Sequence, residues 1–168
     1  MTLLIECIVL CFIFFILNIV SYKKNPLSGL HNLPVEIQKR VQELPEYEGT
    51  RPQKILSTKE RIIKKIPALI IVLIIFCWLV YFAGARTFEK GVLYSFILWG
   101  IVKLFVVFVI DILWYSNSPK YWIKGTEDLE KEYKNYKFYI SSIPRSIIAG
   151  IIVSIIVGII INILNFLM

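Results

Sequence analysis

Charge and histidine are both scarce in this sequence. Asp, Glu, Lys and Arg together make up 18% of its 168 residues, against about a quarter in typical soluble domains. Hydrophobic residues reach 57%, and the mean hydropathy is +0.70. This composition argues against a soluble globular protein. Because His31 is the only histidine, the sequence also argues against His-rich metal centres.

Cysteine is rare as well, and the three cysteines lie inside apolar blocks. No secreted disulfide framework can be built from them. Cys7 and Cys11 share one helix face at a spacing of four, which leaves a metal or redox pair open. Packing as small apolar side chains is favoured, because no histidine stands near to complete a ligand set.

Catalytic signatures are absent too. The sequence has no H-E-x-x-H, G-x-S-x-G, P-loop or C-x-x-C motif. Glu127 and Asp128 are adjacent carboxylates that can bind a metal, but beside lysines they are more typical of a helix start. We therefore predict no catalytic residue, no metal and no cofactor.

Four long apolar blocks dominate what remains. They cover residues 2–20, 66–84, 91–114 and 146–168, and each is close to the ~20 residues that a membrane-spanning helix needs. We predict an all-α polytopic membrane protein, in which four transmembrane helices form a bundle with short amphipathic interfacial helices. Residues 1–168 then form a single membrane domain.

Lys and Arg concentrate in two of the three connections. Residues 21–65 contain ten, residues 115–145 contain six, and residues 85–90 contain two. By the positive-inside rule both long segments are cytoplasmic and both termini lie outside the plasma membrane. The net charge of +7 lies beside apolar blocks, so we expect anionic lipid headgroups, and not nucleic acid, as its counter-charge.

The cytoplasmic segments carry their own patterns. Ile37, Val41 and Leu44 line one face of a short amphipathic helix, which we expect at the membrane surface. Gly125 and Thr126 precede a second predicted helix start. Aromatic residues are dense in this region, as in an aromatic belt at headgroup level, while a binding pocket stays open as an alternative. The aromatic residues are Tyr115, Tyr121, Trp122, Tyr133, Tyr136, Phe138 and Tyr139.

The last block repeats small or polar residues at every fourth position. Residues at this spacing form one stripe on a helix and allow close helix packing. The pattern does not say whether the partner helix belongs to this chain or to another. The stripe consists of Ser146, Gly150, Ser154 and Gly158, followed by Asn162.

Lys103 lies near the middle of the third block, where charge is costly. Counting ~1.5 Å of rise per residue predicts that it lies level with Ser154. Three interpretations stay open: a lysine that snorkels to the interface, a pair within the bundle, or the lining of a water-filled path. Near the inner interface the same count predicts a polar cluster of Asn18, Asp111 and Arg145.

Three stretches carry a resemblance to a known family: NPLSGLHNLPVEIQKRVQELPEYEG, GARTFEKGVLYSFILWG, and DILWY followed by GTEDLEKEYKNYKFY. Together they resemble an uncharacterised family of small bacterial four-span integral membrane proteins with a D-x-x-W … G-T-E-D motif. The resemblance implies a bacterial inner membrane protein and supplies no activity. Asn117 and Tyr139 stand where the family has histidines, so any metal or acid–base role of those histidines is lost here. Its family positions are Asp111, Trp114, Gly125, Thr126, Glu127, Asp128, Glu132 and Tyr133.

Three functions remain in competition. The favoured hypothesis is a non-enzymatic accessory or assembly subunit, which docks a membrane protein or a second copy through the stripe and through residues 125–139. The second is an enzyme acting on a lipid-like substrate at the membrane interface, and the third is a small oligomeric transporter using Lys103 and Asp111. The candidate interface site consists of Glu127, Asp128, Glu132 and Tyr133.

Overall fold

A computed structural model describes residues 2–47 and 58–167, and this part of the chain is helical without β-strands. The ten residues 48–57, within the predicted cytoplasmic segment 21–65, lie outside the described part. Three helical stretches are long and apolar enough to cross a membrane: Thr2–Lys24, Phe88–Tyr115 and Tyr136–Leu167. The predicted all-helical class is therefore confirmed for the described residues, and the three long apolar helices are consistent with the predicted membrane protein.

Seven α-helices follow one another along the described residues, with one π-helix after the fourth. The α-helices are α1 (Thr2–Lys24), α2 (Val35–Glu43), α3 (Thr58–Phe82), α4 (Phe88–Phe105), α5 (Glu130–Tyr133), α6 (Tyr136–Ile140) and α7 (Ser142–Leu167). The π-helix covers Val106–Tyr115, and short 3₁₀ helices cover Pro26–Asn32, Pro45–Tyr47, Pro119–Tyr121 and Glu127–Leu129. The third predicted span is thus not a uniform α-helix, because its last part winds with i→i+5 hydrogen bonds.

The connection between α3 and α4 is a tight turn held by one arginine. Gly84 takes a positive φ of +93°, which glycine adopts without steric cost and which commonly ends a helix. The Arg86 guanidinium donates to the carbonyl oxygens of Tyr81 at 2.5 Å and Ala85 at 2.9 Å. It also lies 3.6 Å over the Tyr81 ring centre. The Tyr81 carbonyl also accepts the Gly84 N–H at 3.1 Å, so the guanidinium adds a second donor at the C-terminal end of α3.

The described chain divides into two compact units. The first unit contains residues 2–11, 58–103 and 144–167, and the second contains residues 12–47 and 104–143. Both α1 and the Phe88–Tyr115 stretch contribute residues to each unit.

In the first unit, α4 and α7 pack in antiparallel register through small residues. A Cβ added to Gly91 would lie 2.9 Å from the Gly158 Cα, and one added to Gly150 would lie 2.5 Å from Cδ1 of Trp99. The Trp99 indole nitrogen donates to the Ser146 carbonyl oxygen at 2.9 Å. The structure therefore identifies the partner of the small-residue stripe as α4 of the same chain.

In the second unit, a core of aromatic and branched residues lies around the π-helix. Its largest fully buried members are Tyr115 and Tyr133. The apolar face of α2 joins this core, because Ile37 and Val41 are buried within it. That face therefore packs on protein. The buried core residues are Tyr22, Leu30, Leu33, Ile37, Val41, Tyr115, Trp122, Ile123 and Tyr133.

Candidate functional site

The π-helix explains how Tyr115 reaches the core of the second unit. Ile110 and Tyr115 are both buried although they stand five residues apart. In an α-helix of ~3.6 residues per turn, such residues point in directions about 140° apart, whereas i→i+5 winding brings them to one face. The Ser116 N–H donates to the Asp111 carbonyl at 3.0 Å in this winding. The π-helix therefore places the Tyr115 side chain on the same buried face as Ile110.

Side chains close the end of the π-helix. The Ser116 hydroxyl donates to the Ile112 carbonyl at 2.5 Å, and the Asn117 amide donates to the same oxygen at 2.7 Å. The Trp122 indole nitrogen donates to the Tyr115 carbonyl at 3.2 Å. Asn117 stands at a place where the family resemblance implies a histidine, and here its amide serves as a helix cap.

Tyr133 is the polar centre of the loop that follows. The Thr126 hydroxyl donates to the Ile123 carbonyl at 2.7 Å and lies 2.8 Å from the Tyr133 hydroxyl. Because the single Thr126 hydrogen is used by Ile123, the Tyr133 O–H donates to Thr126. The same phenol oxygen accepts the Ile123 N–H at 3.2 Å, and burial raises the pKa of Tyr133.

The Tyr133 ring is also fixed by specific contacts. It stacks on the Trp122 ring, with 4.4 Å between centres and 1° between planes. Its carbonyl accepts the Tyr139 hydroxyl at 3.2 Å. Tyr115, Trp122, Tyr133 and Tyr139 are all buried. The interpretation of these four as an aromatic belt at headgroup level is therefore wrong, because they form protein core.

Glu127 and Asp128 contact the same loop region through exposed side chains. The Glu127 carboxylate accepts the Gly125 N–H at 2.8 Å, and Asp128 lies 3.9 Å from the Arg40 guanidinium of α2. Both acidic side chains are exposed, while Glu132 is half-buried. An exposed pair such as Asp128 and Arg40 contributes little stability by itself. Its location nevertheless shows that α2 and this loop lie side by side.

Two further contacts join the α2 segment to the loop. Gly125 has a positive φ of +81°, and a Cβ added to it would lie 2.8 Å from Cδ1 of Leu44. The Tyr47 hydroxyl donates to the Lys124 carbonyl at 3.3 Å. The α2 segment and the loop are therefore joined by Arg40, Leu44, Tyr47, Gly125 and Asp128. Glycine is required at position 125, because its φ is positive and because Leu44 occupies the space that a Cβ would need.

Asp111 lies on the π-helix, and its charge acts on two phenols, Tyr22 and Tyr139. Both tyrosines are buried. Tyr22 stacks on Tyr115 with 4.6 Å between ring centres. The buried Tyr115 hydroxyl interacts with the Tyr133 hydroxyl, but the two do not meet the distance and angle of a hydrogen bond. The second unit therefore contains one carboxylate whose charge acts on buried phenols.

The other predicted polar residues are Asn18, Asp111 and Arg145. The Asn18 amide donates to the Phe14 carbonyl of its own helix at 2.8 Å, and Arg145 is exposed on α7. Asn18 and Asp111 belong to the second unit and Arg145 to the first. The cluster of these three residues stays a prediction.

Lys103 does not lie level with Ser154. The α4–α7 register pairs Gly91 with Gly158 and Trp99 with Gly150, so Ser154 falls opposite Ser95, and Lys103 falls near Ser146. The rise count failed because it measured Lys103 from Trp114 and Ser154 from Arg145 and took these two reference residues as level, an assumption that the observed register does not support. The polar group that the stripe receives is the Trp99 indole N–H. Lys103 itself is half-buried.

Several important residues escaped the sequence analysis. Trp99, Thr126 and Tyr22 each make specific contacts that the sequence did not predict. A signal was present for Trp99, since one large residue facing a stripe of small ones is a common packing solution. Thr126 was interpreted only as a helix cap, and its bond to Tyr133 needed the folded loop.

Comparison with known proteins adds no assignment, because no family model, no curated protein and no solved structure matches this chain. Within residues 2–47 and 58–167, no three His, Cys, Asp or Glu side chains come together as a metal site. The function must therefore be inferred from the contacts of the described residues.

Proposed function

We propose that this chain is an accessory or assembly subunit of a membrane complex. One observation carries the proposal: Glu127, Asp128 and Tyr133 are engaged in holding the second unit together. Side chains with such contacts stabilise the folded surface of the unit. A reaction would require the same groups to point at a substrate. The exposed exterior of the second unit is then the part offered to a partner.

The proposal includes four membrane crossings, with α3 as the additional one. Large apolar side chains are exposed on α3, and contact with lipid acyl chains accounts for them. With both long segments cytoplasmic, the Lys/Arg distribution follows the positive-inside rule and faces anionic headgroups. We assign the chain to the bacterial inner membrane, in line with the family resemblance. The exposed residues are Leu69, Ile70, Ile71, Ile74, Ile75, Trp78 and Phe82.

The docking surface lies on the charged exterior of residues 119–137. The small-residue stripe is not proposed for this role, because α4 covers it. Five exposed lysines share this exterior with Glu127, Asp128, Glu130 and Glu132, and Lys134 pairs with Glu130. The exterior therefore suits a partner with a complementary pattern of both charges, which favours fast association. These lysines are Lys120, Lys124, Lys131, Lys134 and Lys137.

The test is recovery of the protein in native lipid nanodiscs, followed by mass spectrometry of everything bound in stoichiometric amount. We expect one protein partner. We expect a combined Lys124→Glu, Lys131→Glu and Lys137→Glu variant to lose that partner. Lys90→Glu, a change of the same charge on the short connection, serves as the matched control and should retain it. A chain recovered with lipid alone, or a partner retained by the triple variant, would contradict the proposal.

A second candidate function is an enzyme acting on a lipid-like substrate at the membrane interface. The feature that favours it is the charge of Asp111, which acts on the buried phenols of Tyr22 and Tyr139, since a carboxylate and phenols within reach of each other can exchange protons. Lipid composition of membranes with the parent and with Asp111→Asn tests it directly. Identical lipid profiles would remove this candidate. The transporter hypothesis using Lys103 and Asp111 stays a prediction without an observation of its own.

A further inference from the structure

Glu6 is the only charged side chain that precedes Lys23 in the sequence. It lies on α1, a helix long and apolar enough to cross a membrane. Cys7 beside it is buried in the first unit, whereas Ile5 is exposed. Glu6 itself is half-buried, so it lies at the edge between the buried and the exposed face of this helix. An ionisable group in a membrane-spanning helix is a candidate for a functional site.

One carboxyl oxygen of Glu6 lacks a hydrogen bond. Its Oε2 atom is buried and has no partner among the described residues. The two ion pairs of the described residues join Arg40 to Asp128 and Lys134 to Glu130, so neither of them neutralises Glu6. An unpaired charge in apolar surroundings is costly, and a group in this situation commonly becomes neutral instead.

The titratable and charged neighbours do not balance a charge on Glu6 either. Cys7 is the titratable group that interacts with it, and a thiol is neutral or negative but never positive. On the other elements of the first unit, the charged side chains that the structure describes make no ion pair with Glu6. These side chains are Arg86, Glu89, Lys90, Lys103 and Arg145. A negative charge on Glu6 would therefore remain uncompensated by these groups.

Other polar side chains of the apolar helices use a hydrogen of their own. The Ser95 hydroxyl donates to the Gly91 carbonyl at 2.6 Å, and the Asn18 amide donates to the Phe14 carbonyl at 2.8 Å. In both cases the donor uses a second lone pair of a carbonyl oxygen within the helix. An ionised carboxylate has no hydrogen and cannot make this bond, whereas a protonated carboxyl group can. Protonation therefore gives Glu6 the kind of contact that its surroundings offer.

We propose that Glu6 is a proton-binding site of α1 and that its carboxyl group holds the proton at neutral pH. The bound proton removes the charge, and the resulting O–H group supplies a donor for a helix carbonyl. The ligand is a proton and not a metal ion, because no three His, Cys, Asp or Glu side chains come together around a metal position in residues 2–47 and 58–167. The site is independent of the docking surface on residues 119–137.

A lipid-soluble carbodiimide reports the bound proton, because its reaction requires the protonated acid. The O–H of the carboxyl group adds across one C=N bond of dicyclohexylcarbodiimide, and the acyl group then moves from oxygen to nitrogen to give a stable N-acylurea. No atom is lost, so the labelled peptide gains the whole mass of the reagent.

The test treats the full chain in phosphatidylcholine vesicles with dicyclohexylcarbodiimide at neutral pH and locates the label by peptide mass spectrometry. Glu89 is the matched control within the same molecule, because it is an exposed glutamate at the start of α4. We expect at least about tenfold more label on Glu6 than on Glu89, a ratio that reflects their protonated fractions. Equal label on the two residues, or none on Glu6, would overturn the proposal.

Infrared spectroscopy gives a second measurement that needs no reagent. At neutral pH the parent should show the carbonyl band of a protonated carboxyl group, Glu6→Gln should lose that band, and Glu89→Gln should retain it. Circular dichroism checks the fold of both variants, and the labelling of the parent does not depend on either of them. A band that is unchanged in Glu6→Gln would contradict the proposal.

Sodium distinguishes a proton from a metal cation as the ligand. The labelling is repeated at equal ionic strength in sodium chloride and in choline chloride, and we expect the same label on Glu6 in both. Loss of the label in sodium chloride alone would overturn the proposal, since a bound sodium ion would then protect the carboxylate.

Discussion

The α4–α7 contact and the aromatic core of the second unit are built from opposite kinds of residue. The helix pair meets through glycine and serine, with Gly91 against Gly158 and Trp99 against Gly150. The second unit buries tyrosine and tryptophan rings instead. In a membrane, burial of apolar area gives helices no advantage over lipid, so close backbone approach and hydrogen bonds must hold them. In the second unit, ring contacts and hydrogen bonds between buried aromatic side chains stabilise the core instead.

The largest effect should come from emptying the aromatic core. Tyr133→Ala removes a buried ring that stacks on Trp122 and should lower the free energy of unfolding by about 3–5 kcal/mol. Limited proteolysis of the 115–145 region reports this loss as faster cleavage. Tyr136→Ala, at a 40% exposed position in the same region, is the control and should change cleavage little. Equal cleavage of both variants would show that the rings do not stabilise the unit.

The helix pair should respond to added volume. Gly91→Ala places a Cβ 2.9 Å from the Gly158 Cα, so backbone must move, at a cost of about 1–3 kcal/mol. Thermal unfolding in detergent measures the change. Gly100→Ala in the same helix meets nothing within 4 Å and should be neutral or stabilising by up to about 1 kcal/mol. A similar response at both positions would argue against the close approach.

A smaller effect should follow from removing one hydroxyl in the loop. Thr126→Val takes away the acceptor of the Tyr133 O–H, while the Ile123 carbonyl keeps the Thr126 N–H at 3.2 Å. Leaving buried polar groups unpaired costs about 1–3 kcal/mol. Hydrogen exchange of the 119–139 region should accelerate. Thr126→Ser keeps the hydroxyl and should restore most of the protection; if it does not, the methyl group and not the hydrogen bond is responsible.

The smallest effect should be at Tyr115. Its hydroxyl interacts with the Tyr133 hydroxyl but does not meet hydrogen-bond geometry with any described residue, so Tyr115→Phe should lower stability by less than about 1 kcal/mol. Tyr133→Phe removes a hydroxyl that is bonded twice and should be clearly worse. Parallel thermal unfolding of the two variants gives the comparison. A larger loss at Tyr115 would reveal a partner for its hydroxyl.

Much of the helical architecture was predictable from the sequence. Long apolar runs predict helices, and the spacing of Ile37 and Val41 predicts the buried face of α2, because helix periodicity is local. The small-residue stripe likewise predicts a close helix contact. Which helix fills that contact was not predictable, since register depends on the partner's side chains and on the winding between them.

The candidate site was harder to predict for physical reasons. Tyrosine and tryptophan serve equally well at a membrane interface and in a core, so composition alone could not separate the two for Tyr115 and Tyr133. The π-helix escaped prediction because its apolar sequence suits an α-helix equally well. Only the joint burial of Ile110 and Tyr115 requires the wider winding.

The π-helix Val106–Tyr115 also has a consequence for how this chain tolerates changes in length. An i→i+5 segment is an α-helix that has accommodated extra residues without breaking. A single deletion within it can therefore be absorbed by rewinding toward the α form, while the α4–α7 register upstream stays in place. The same deletion within α4 would turn Gly91 away from Gly158. Related sequences that differ in length along this stretch should carry their gaps in the π segment, and those without the extra residues should lack an aromatic side chain equivalent to Tyr115.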